Sequence, residues 1–501
     1  MTLGQLLQRL DEADPSLVRD RRAWALDSER PAGGVAYDSR RVSAGDVFVA
    51  LKGEHVDGTV YAAAAAGRGA TAIVAEGPRP PDVEVPWLRV GDARLALAVI
   101  AVATHGNPSQ HLVLVGITGT NGKTTTSYLV EQMFEKAGTP CGRIGTIGYR
   151  MGSVERGAAR TTPESPDLQH MFREMVDAGC RAAVMEVSSH ALVLRRVDQL
   201  RFSAAVFTNL SRDHLDFHSD MESYFRAKRR LFDMLPPGAF GIVNADDPRG
   251  AEFASLVQRP VTFGIDRAAD VMPADLSVTL EGVSFDVHTP RGRLHARSQM
   301  LGHFTVYNIL AAVSVGVALD LPFSAIEQGI TALERVPGRF EVVSNWSDDV
   351  TVVVDFAHTD DALRRLLDAV RPLATGRLIT VFGCGGDRDR TKRPLMGAVA
   401  ARRSDAVFVT SDNPRSEDPD AIIREIVGGM PRSGQAAAPI TMPDRRAAIE
   451  QAVAQARPGD VVVIAGKGHE KFQEVGGRVL RFDDVVVARE ALAHRRTGSP
   501  V

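Results

Sequence analysis

One pattern, repeated four times in the last third of the chain, limits the folds that this sequence can adopt. An apolar run of strand length breaks each time into polar or glycine residues, and helical segments separate the runs. The four runs are VVVDFAH, LITVFGCGGD, AVFVTSDNPR and VVVIAGKGHE. This alternation is typical of a parallel, doubly wound sheet, in which ligands bind beyond the carboxyl ends of the strands. All four polar clusters are therefore expected at one edge of one sheet.

The composition excludes several classes of protein. The 501 residues, 44% of them hydrophobic and 24% charged, correspond to about three soluble globular domains. A net charge of -3 gives no global attraction to nucleic acid or to anionic membranes. The three cysteines form no CxxC pair, the polar N-terminal segment is not a signal peptide, and the apolar runs are too short to span a bilayer. We expect a cytoplasmic protein with no nucleic-acid partner and no membrane insertion.

The chain divides into three regions, which predict an α/β fold of three domains. Residues 1–108 form a small α/β domain, with strands at Gly45–Leu51 and Ala70–Glu76 and a helix at Tyr61–Gly67 between them. Residues 109–337 form a central ATPase domain of the P-loop type with a mainly parallel sheet. Residues 338–501 form the C-terminal, Rossmann-like doubly wound domain, and Pro337-Gly338 is the expected hinge.

The strongest local signal is a glycine-rich loop between an apolar strand and a helix. Its residues are Gly119, Thr120, Asn121, Gly122, Lys123, Thr124 and Thr125. Such a loop exposes backbone N–H groups to phosphate, the lysine reaches the β- and γ-phosphates, and the hydroxyl of Thr124 can hold Mg²⁺. The fit to GxxxxGK[ST] is imperfect, because Ile117 stands at the first glycine position. The alternative is a flexible turn that binds nothing.

Two further clusters follow apolar strands in the central region. Glu186, in MEVSSH, can hold Mg²⁺ directly or through water, although this motif taken alone favours a solvated strand end. Thr208–Asp216 gathers Asp, His and Arg and suggests a site, whereas His214 by itself is more often structural. Lys228 lies in the helical stretch Met221–Asp233, and its spacing alone indicates an ordinary surface lysine.

The strand ends of the third region offer a pocket for a zwitterionic amino acid. Arg415 presents a planar guanidinium fork to a carboxylate, and Asp412 and Glu470 can receive an ammonium group. Asp355 ends one of the strands and the glycine turn Gly383–Arg388 ends another, and glycines allow a ligand to approach the backbone closely. The alternative is a set of charged loops on a generic sheet.

Taken together, the motifs resemble those of the Mur ligases, and within them the members that add diaminopimelate. The matching stretches run in family order from about residue 37 to residue 484. They are TGTNGKTTT, MEVSSH, FTNLSRDHLDFH, the Asn308 region, PGRFE, VVVDFAHT, FGCGGDRDRTKRPLMG, DNPRSE and AGKGHE.

The resemblance implies a role for each matching residue. The catalytic residues would be Lys123, Glu186, His214 and Lys228. Mg²⁺ would be held by Thr124, Glu186, His214 and Lys228, the last as the carbamate that the family lysine forms with CO₂. ATP would be bound by residues 119–125 together with Asn308, Arg339 and Asp355. The UDP-muramyl peptide would contact Tyr37, Ser39, Glu54, His55, Val56, Thr161, Thr162, Ser188 and Arg196. Diaminopimelate would contact Arg388, Asp412, Asn413, Pro414, Arg415, Gly466 and Glu470.

The implied reaction is an ADP-forming amide ligation in cytoplasmic peptidoglycan synthesis, with ATP and Mg²⁺ as cofactors. ATP would convert the D-Glu side-chain carboxylate of UDP-N-acetylmuramoyl-L-alanyl-D-glutamate to an acyl phosphate, which the amine of meso-diaminopimelate would attack. In members with DNPR, the arginine grips the second carboxylate of diaminopimelate. LL-diaminopimelate carries the same carboxylate and remains an alternative, as does lysine. The family also implies a monomer and closure of the domains around the linkers.

Four positions differ from common family forms, and several rival functions share part of the pattern. The differing residues are Arg160, Leu194, Phe356 and Asp360, and the first two leave room for a changed carboxylate acceptor. A folate polyglutamate or cyanophycin type of ligase is the main rival, and DNPR and GKGHE argue against it. A kinase would share the phosphate loop but would need no amine pocket. A non-catalytic nucleotide switch would not need Lys123, Glu186, His214 and Lys228.

Overall fold

A computed structural model describes residues 1–53, 56–279, 281–431 and 438–497 of the chain. Within these ranges, none of the helices combines the length and the apolar character that crossing a bilayer requires. The main sheets follow one another along the chain, in residues 18–90, 113–263 and 341–465. This is the predicted α/β fold with mostly parallel sheets; the numerical domain boundaries remain a prediction.

The first sheet has the strand order β1-β5-β4-β3-β2 and is parallel except for β1. Its strands are β1 (Val18–Asp20), β2 (Gly34–Ala36), β3 (Asp46–Val49), β4 (Ala72–Ala75) and β5 (Trp87–Val90). The accompanying helices are α1 (Leu3–Ala13), α2 (Arg22–Leu26), α3 (Ala62–Gly67) and α4 (Ala93–Thr104). One core lies between the sheet and α1, α2 and α4, and a smaller one lies under α3. The two predicted strands and the helix between them are therefore confirmed.

The second sheet has the order β13-β12-β11-β6-β10-β7-β8-β9 and is parallel apart from β8 and β9. The strands are β6 (Val113–Thr118), β7 (Cys141–Ile144), β8 (Gly148–Met151), β9 (Val154–Gly157), β10 (Ala182–Glu186), β11 (Ala204–Phe207), β12 (Phe240–Asn244) and β13 (Arg259–Phe263). The helices between them are α5 (Lys123–Lys136), α6 (Ser165–Asp177), α7 (Ser189–Val193), α8 (Met221–Asp233) and α9 (Gly250–Ser255). Because β6 lies between β10 and β11, the three polar clusters of this region meet at one edge.

An antiparallel sheet follows that the sequence analysis did not predict. It contains β14 (Met272–Thr279), β15 (Gly282–Thr289) and β16 (Gly292–Ser298). Alternate residues of β16 are buried, so the period-two signal of a half-buried strand was present in the sequence. Two helices, α10 (His303–Ala318) and α11 (Phe323–Ala332), complete the region and share one core with β15, β16 and α5.

The third sheet has the order β17-β18-β22-β19-β20-β21 and is parallel except for β17. Its strands are β17 (Glu341–Val342), β18 (Thr351–Asp355), β19 (Leu378–Phe382), β20 (Ala406–Thr410), β21 (Ile440–Met442) and β22 (Val461–Ala465), and a hairpin β23 (Phe472–Val475) and β24 (Arg478–Arg481) follows. The helices are α12 (Asp360–Val370), α13 (Lys392–Arg403), α14 (Pro419–Gly428), α15 (Arg445–Gln455) and α16 (Asp484–Thr497). Helices α12 to α14 cover one face and α15 and α16 the other, as the doubly wound pattern predicts.

A close contact between two helices tests how tightly the central region is packed. Gly329 of α11 lies against the backbone of α5, and a Cβ built there falls 2.7 Å from both N and Cα of Met133. We expect Gly329→Ala to lower the free energy of unfolding by about 1–3 kcal/mol, because the backbone of α5 must move. Thermal or urea unfolding measures the change. Gly157→Ala, at an exposed position with no atom within 4 Å, is the matched control and should stay within about 0.5 kcal/mol of wild type. Equal losses in both variants would contradict this packing.

Candidate active site

The glycine loop is fixed from both sides by the strand ends beside it. Gly119 and Gly122 have φ values of 141° and 88°, in the region that favours glycine. The N–H of Thr120 donates to the carbonyl of Asn209 (2.8 Å), and the N–H of Asn121 donates to the side-chain oxygen of the same residue (3.0 Å). A Cβ at Gly122 would lie 2.4 Å from Oδ1 of Asn308. The loop and Asn308 are thus brought together as predicted, while Asn209 was not singled out.

Two lysines converge on one carbonyl of this loop. Lys123 donates to the carbonyls of Gly119 (2.9 Å) and Thr120 (2.8 Å). Lys228 on α8 donates to the same Gly119 carbonyl at 2.8 Å, and its Nζ lies 4.3 Å from the ring centre of Tyr224. Lys228 is 1% exposed, so the surface position suggested by its spacing alone is wrong. Burial lowers the pKa of both lysines, and their mutual repulsion lowers that of Lys228 further, well below its usual range.

Glu186, at the end of β10, is the carboxylate nearest to the start of α5. Its Oε2 accepts hydrogen bonds from the hydroxyls of Thr124 (3.0 Å) and Thr146 (2.9 Å), and its Oε1 accepts from the N–H of Thr146 (2.9 Å). Arg339 Nη2, from beyond the hinge, donates to the hydroxyl of Thr124 at 3.2 Å. The predicted phosphate-loop threonine, acid and arginine therefore form one connected group. Thr146 was missed, although its place just after β7 was a signal.

His214 lies in a cluster of imidazole rings beside the lysines. Its ring packs edge-on against His190, with centroids 4.9 Å apart, and His190 stacks on Phe217 at 4.1 Å. Asp213 lies within ion-pair distance of two histidine rings, 3.4 Å from Nε2 of His214 and 3.8 Å from Nε2 of His358. Burial lowers the pKa of His214 to about 3, so the ring is neutral at physiological pH.

These groups line a cleft of about 580 Å³ that opens beside the phosphate loop. The sequence-predicted residues that the cleft brings together are Thr120 to Thr125, Thr161, Thr162, Glu186, Ser188, Arg196, His214, Lys228, Arg339, Asp355 and Arg388. Thr162 donates to the carbonyl of Glu186 at 2.8 Å, and Arg196 donates to Glu164 at 2.9 Å and to the carbonyl of Thr162 at 3.0 Å. Arg160 also pairs with Glu164, at 2.7 Å.

A second cavity of about 270 Å³ adjoins the loop on its other side. Asn308, Arg339 and Asp355 line it together with Asn121 and Gly122, which also border the larger cleft. Both oxygens of Asp355 accept backbone N–H groups, from Phe340 at 2.7 Å and from Ala357 at 2.8 Å. The aromatic side chains Phe304 and Tyr307 of α10 complete the wall and were not predicted as site residues.

The remaining predicted pocket residues gather around a buried lysine at the carboxyl edge of the third sheet. Lys467 is 0% exposed, and its Nζ donates to Asn413 Oδ1 (2.9 Å) and Glu470 Oε2 (3.1 Å) and lies 3.6 Å from Asp412 Oδ1. Asn413 Nδ2 also donates to Glu470, at 2.9 Å. A Cβ on Gly466 would fall 2.8 Å from Asp412 Oδ2. Lys467 was not predicted as a site residue, although it is the second residue of GKGHE.

Arg415 has a strained backbone conformation, and two nitrogens of its guanidinium already contact other residues. Its φ is 53°, its Nη1 donates to the carbonyl of Gly386 at 2.6 Å, and its Nε lies 3.3 Å from Glu474. Pro414 packs against the same turn, since a Cβ on Gly386 would meet the carbonyl of Pro414. Arg388, in the next part of that turn, lines the large cleft and connects this pocket with the phosphate loop.

Among the residues predicted in the N-terminal region, Tyr37, Ser39 and Val56 do not line this cleft. The hydroxyl of Tyr37 donates to Asp167 of α6 at 2.6 Å, and Ser39 begins a short 3₁₀ turn capped by Asp38. Val56 is exposed. Glu54 and His55 lie outside the described residues. Their assignment to a UDP-linked substrate stays a prediction.

Comparison with known proteins assigns the chain to a family over most of its length. Three family models match: "Mur ligase family, catalytic domain" at residues 32–105, "Mur ligase middle domain" at 117–316 and "Mur ligase, glutamate ligase domain" at 338–468. The chain belongs to the Mur ligase family.

Individual members of the family are similar to this chain over nearly its whole length. The UDP-N-acetylmuramoyl-L-alanyl-D-glutamate--2,6-diaminopimelate ligase of Geobacter metallireducens is 49% identical, covering 90% of this chain and 92% of its own. The protein of the same name from Solibacter usitatus is 47% identical and covers 98% of both chains. A solved structure of a ligase of this name superposes with a TM-score of 0.67 at 33% identity, covering 97% of this chain and 99% of its own. MurF from Acinetobacter baumannii, at 20% identity and a TM-score of 0.64, shares the fold.

The buried amine of Lys228 in this Mur ligase predicts an unusual dependence of stability on pH. An unfolded chain keeps the ordinary lysine pKa of 10.5, and burial in the folded protein lowers that pKa, so folding disfavours the charged amine below pH 10.5 and this costs stability. We expect Lys228→Met to raise the melting temperature at pH 7 in CO₂-free buffer, because Lys123 still satisfies the Gly119 carbonyl. The gain should grow as the pH falls below about 10.5 and vanish above it.

Differential scanning calorimetry between pH 6 and pH 11 measures this gain. Lys136→Met, at an exposed lysine at the end of α5, is the matched control and should show no such trend. A lower melting temperature of Lys228→Met at pH 7 would show that the amine stabilises the fold instead.

Proposed function

We propose that this Mur ligase is the ATP-dependent, ADP-forming enzyme that adds meso-diaminopimelate to the D-Glu side-chain carboxylate of UDP-N-acetylmuramoyl-L-alanyl-D-glutamate. The observation that carries the proposal is the near full-length identity of 46–49% to ligases of that name. The cleft supports it, because it is lined by a phosphate loop, by the carboxylate of Glu186 and by Arg388, one of the residues expected to contact diaminopimelate. The product is a precursor for peptidoglycan, made in the cytoplasm.

The two cavities beside the loop fit the parts of ATP. The smaller cavity, with Asn308, Phe304 and Tyr307, offers amide and aromatic groups to the base and ribose. The loop N–H groups and Lys123 face the phosphates. Arg339 approaches from the side of the third sheet and contacts Thr124. ATP would therefore be enclosed when the parts of the chain that contain the central and the third sheet are in contact.

The donor set at the loop fits Mg²⁺ bound jointly with phosphate. A threonine hydroxyl and a carboxylate oxygen, 3.0 Å apart on Thr124 and Glu186, are the hard oxygen ligands that Mg²⁺ takes beside substrate phosphates and water. In the described part of the chain, no cluster of three or more His, Cys, Asp or Glu side chains could hold a metal ion alone. His214, neutral at pH 7, and Lys228 would support the same region. When bound, Mg²⁺ supplies positive charge to the phosphate oxygens.

The reaction needs alignment and charge neutralisation more than covalent help from the protein. An oxygen of the D-Glu carboxylate attacks the γ-phosphorus of ATP, and the bond to the bridging oxygen of ADP breaks. The neutral amine then attacks the acyl carbon, the bond to phosphate breaks, and the amine proton passes to solvent. Lys123 and Arg339 would neutralise the transferred group, since preorganised cations stabilise developing charge in a site shielded from water.

Lys228 is suited to carbamylation because its amine is buried and its pKa lies well below the usual range of a lysine. A neutral amine adds to CO₂ to give a carbamate and one proton, whereas an ammonium group cannot. Burial and the nearby Lys123 favour the neutral amine. The carbamate would place an anion beside Lys123, which would support a second Mg²⁺.

The pocket around Lys467 fits the distal end of diaminopimelate. Arg415, with one nitrogen on Gly386 and another beside Glu474, can turn the rest of its fork to a carboxylate. Asp412, Asn413 and Glu470 offer oxygens to an ammonium group, and Arg388 lies between this pocket and the phosphate loop. Thr161, Thr162, Ser188 and Arg196 would hold the muramyl peptide.

The monomeric state and the boundaries near residues 108 and 337 belong to the same proposal.

The product assay tests the proposal directly. The purified protein is incubated with ATP, Mg²⁺ and the UDP-muramyl dipeptide, with meso-diaminopimelate, LL-diaminopimelate or lysine in parallel, and the products are identified by mass. We expect a tripeptide with meso-diaminopimelate and one ADP for each product. A tripeptide with lysine alone would overturn the amine assignment. ADP formation with no tripeptide, or a phosphorylated end product, would overturn the ligase reaction.

Arg415 should control the choice of amine. Arg415→Lys retains the charge but loses the planar fork, so a bidentate contact to the second carboxylate is no longer possible. We expect kcat/KM for diaminopimelate to fall roughly 10- to 100-fold, the equivalent of ~1.5–3 kcal/mol for hydrogen bonds to a charged group. Arg424→Lys, at an exposed arginine of α14, is the control and should leave kcat/KM unchanged. An unchanged value for Arg415→Lys would place the carboxylate elsewhere.

A further inference from the structure

One arginine on a helix beside the third sheet, Arg445, is fully buried and belongs to none of the sites assigned above. Arg445 begins α15 and pairs with Asp484, which begins α16, and both side chains are 0% exposed. Nε of Arg445 donates to Oδ1 of Asp484 at 2.8 Å, and Nη2 donates to Oδ2 at 2.7 Å. A buried bidentate ion pair of this kind is expensive to desolvate and adds little net stability over an apolar pair. Its presence therefore calls for another explanation.

The outer nitrogens of Arg445 reach two backbone carbonyls at the carboxyl edge of the sheet. Nη1 donates to the carbonyl of Ser411 at 3.3 Å, and Nη2 donates to that of Ala465 at 3.1 Å. These residues immediately precede Asp412 and Gly466, where the two halves of the proposed amine pocket begin. One guanidinium group thus fixes the starting point of both halves.

The two carbonyls belong to strands that do not touch each other. Ser411 follows β20 and Ala465 ends β22, and β19 lies between these strands in the sheet. No strand ladder can therefore fix their separation directly. A rigid fork with donors in one plane can span the gap, while a lysine ammonium on a flexible stem cannot bind both carbonyls and the carboxylate in this geometry.

We propose that Arg445, held in place by Asp484, is a positioning residue that sets the distance between the Asp412–Arg415 and Gly466–Glu470 halves of the amine pocket. The proposal rests on the proposed function, because it assigns that pocket to diaminopimelate. The contacts among Asn413, Lys467 and Glu470 close the pocket from above. Arg445 supports the same two segments from below, where their backbones leave the sheet.

The chain contains a matched ion pair at the opposite edge of the same sheet. Arg377, just before β19, donates from Nε (3.0 Å) and Nη2 (2.7 Å) to Asp460, just before β22, and also to the carbonyl of Gln455 at 2.9 Å. Asp460 is 3% exposed. This pair likewise links an arginine to an aspartate and to backbone, although both nitrogens donate to the same oxygen, Oδ2, and Arg377 is 37% exposed. It lies at the amino ends of the strands, away from the pocket.

Steady-state kinetics of Arg445→Lys and Arg377→Lys separate positioning from general stability. Lysine keeps the charge opposite each aspartate and removes the fork. We expect Arg445→Lys to raise KM for diaminopimelate roughly tenfold or more, since a small displacement of binding groups has large effects, while KM for ATP stays within about twofold. Discrimination between diaminopimelate and lysine should fall as well. Arg377→Lys should lower the melting temperature and leave every KM unchanged.

A second variant covers the case in which Arg445→Lys fails to fold. The double replacement Arg445→Met with Asp484→Leu removes both charges without leaving one unpaired, so the fold is retained, but neither carbonyl is supported. It should show the same rise in KM for diaminopimelate. An unchanged KM in a folded variant of either kind, or equal rises for diaminopimelate and ATP, would overturn the positioning role. Absence of tripeptide with the wild-type enzyme would instead overturn the proposed function.

Discussion

The hydrogen bond from Arg339 to Thr124 joins two parallel sheets at their carboxyl edges, and the rest of the active site depends on that meeting. Each sheet alone presents half of a reaction centre. The central sheet contributes the phosphate loop, Glu186 and Lys228 to the cleft, and the third sheet contributes Asp355 and Arg388. Because parallel strands end at a common edge, a contact between the two edges suffices to bring phosphate, carboxylate and amine sites within one cleft.

The contact between the two sheet edges also brings several charged groups close together, and the fold must stabilise them. Two lysines share the Gly119 carbonyl, while Glu186 accepts hydrogen bonds from hydroxyl and amide donors. Such an arrangement is costly in a protein that only needs to fold, and it becomes favourable when anionic phosphates enter. The arrangement of charges at the loop lowers the stability of the fold and leaves the loop preorganised for phosphate. Buried pairs such as Arg445 with Asp484 hold the segments of the facing amine pocket at a fixed distance.

The strand ends were predictable because polar residues directly follow apolar runs. The geometry of a parallel sheet then brings these polar residues to one edge. The burial of Lys228 was not predicted, because its position was interpreted without the other residues of the same helix. Tyr224, Leu231 and Phe232 lie on the same helix face at intervals of three and four, which placed this lysine on the buried side of α8. Thr146 and Arg445 depend on which strands and helices become neighbours, and that information is tertiary. The roles of Tyr37 and Ser39 rest on family resemblance, since neither lies in the cleft.

The central claim is that the cleft joins its two substrates through a carboxyl phosphate. The most direct test supplies UDP-N-acetylmuramoyl-L-alanyl-D-glutamate with oxygen-18 in the D-Glu side-chain carboxylate, together with ATP, Mg²⁺ and meso-diaminopimelate, and measures the label in the released phosphate. Transfer through an acyl phosphate predicts one labelled oxygen in each phosphate released with a tripeptide. Tripeptide formation with unlabelled phosphate would contradict this account, because the carboxylate oxygen would never have been bonded to phosphorus.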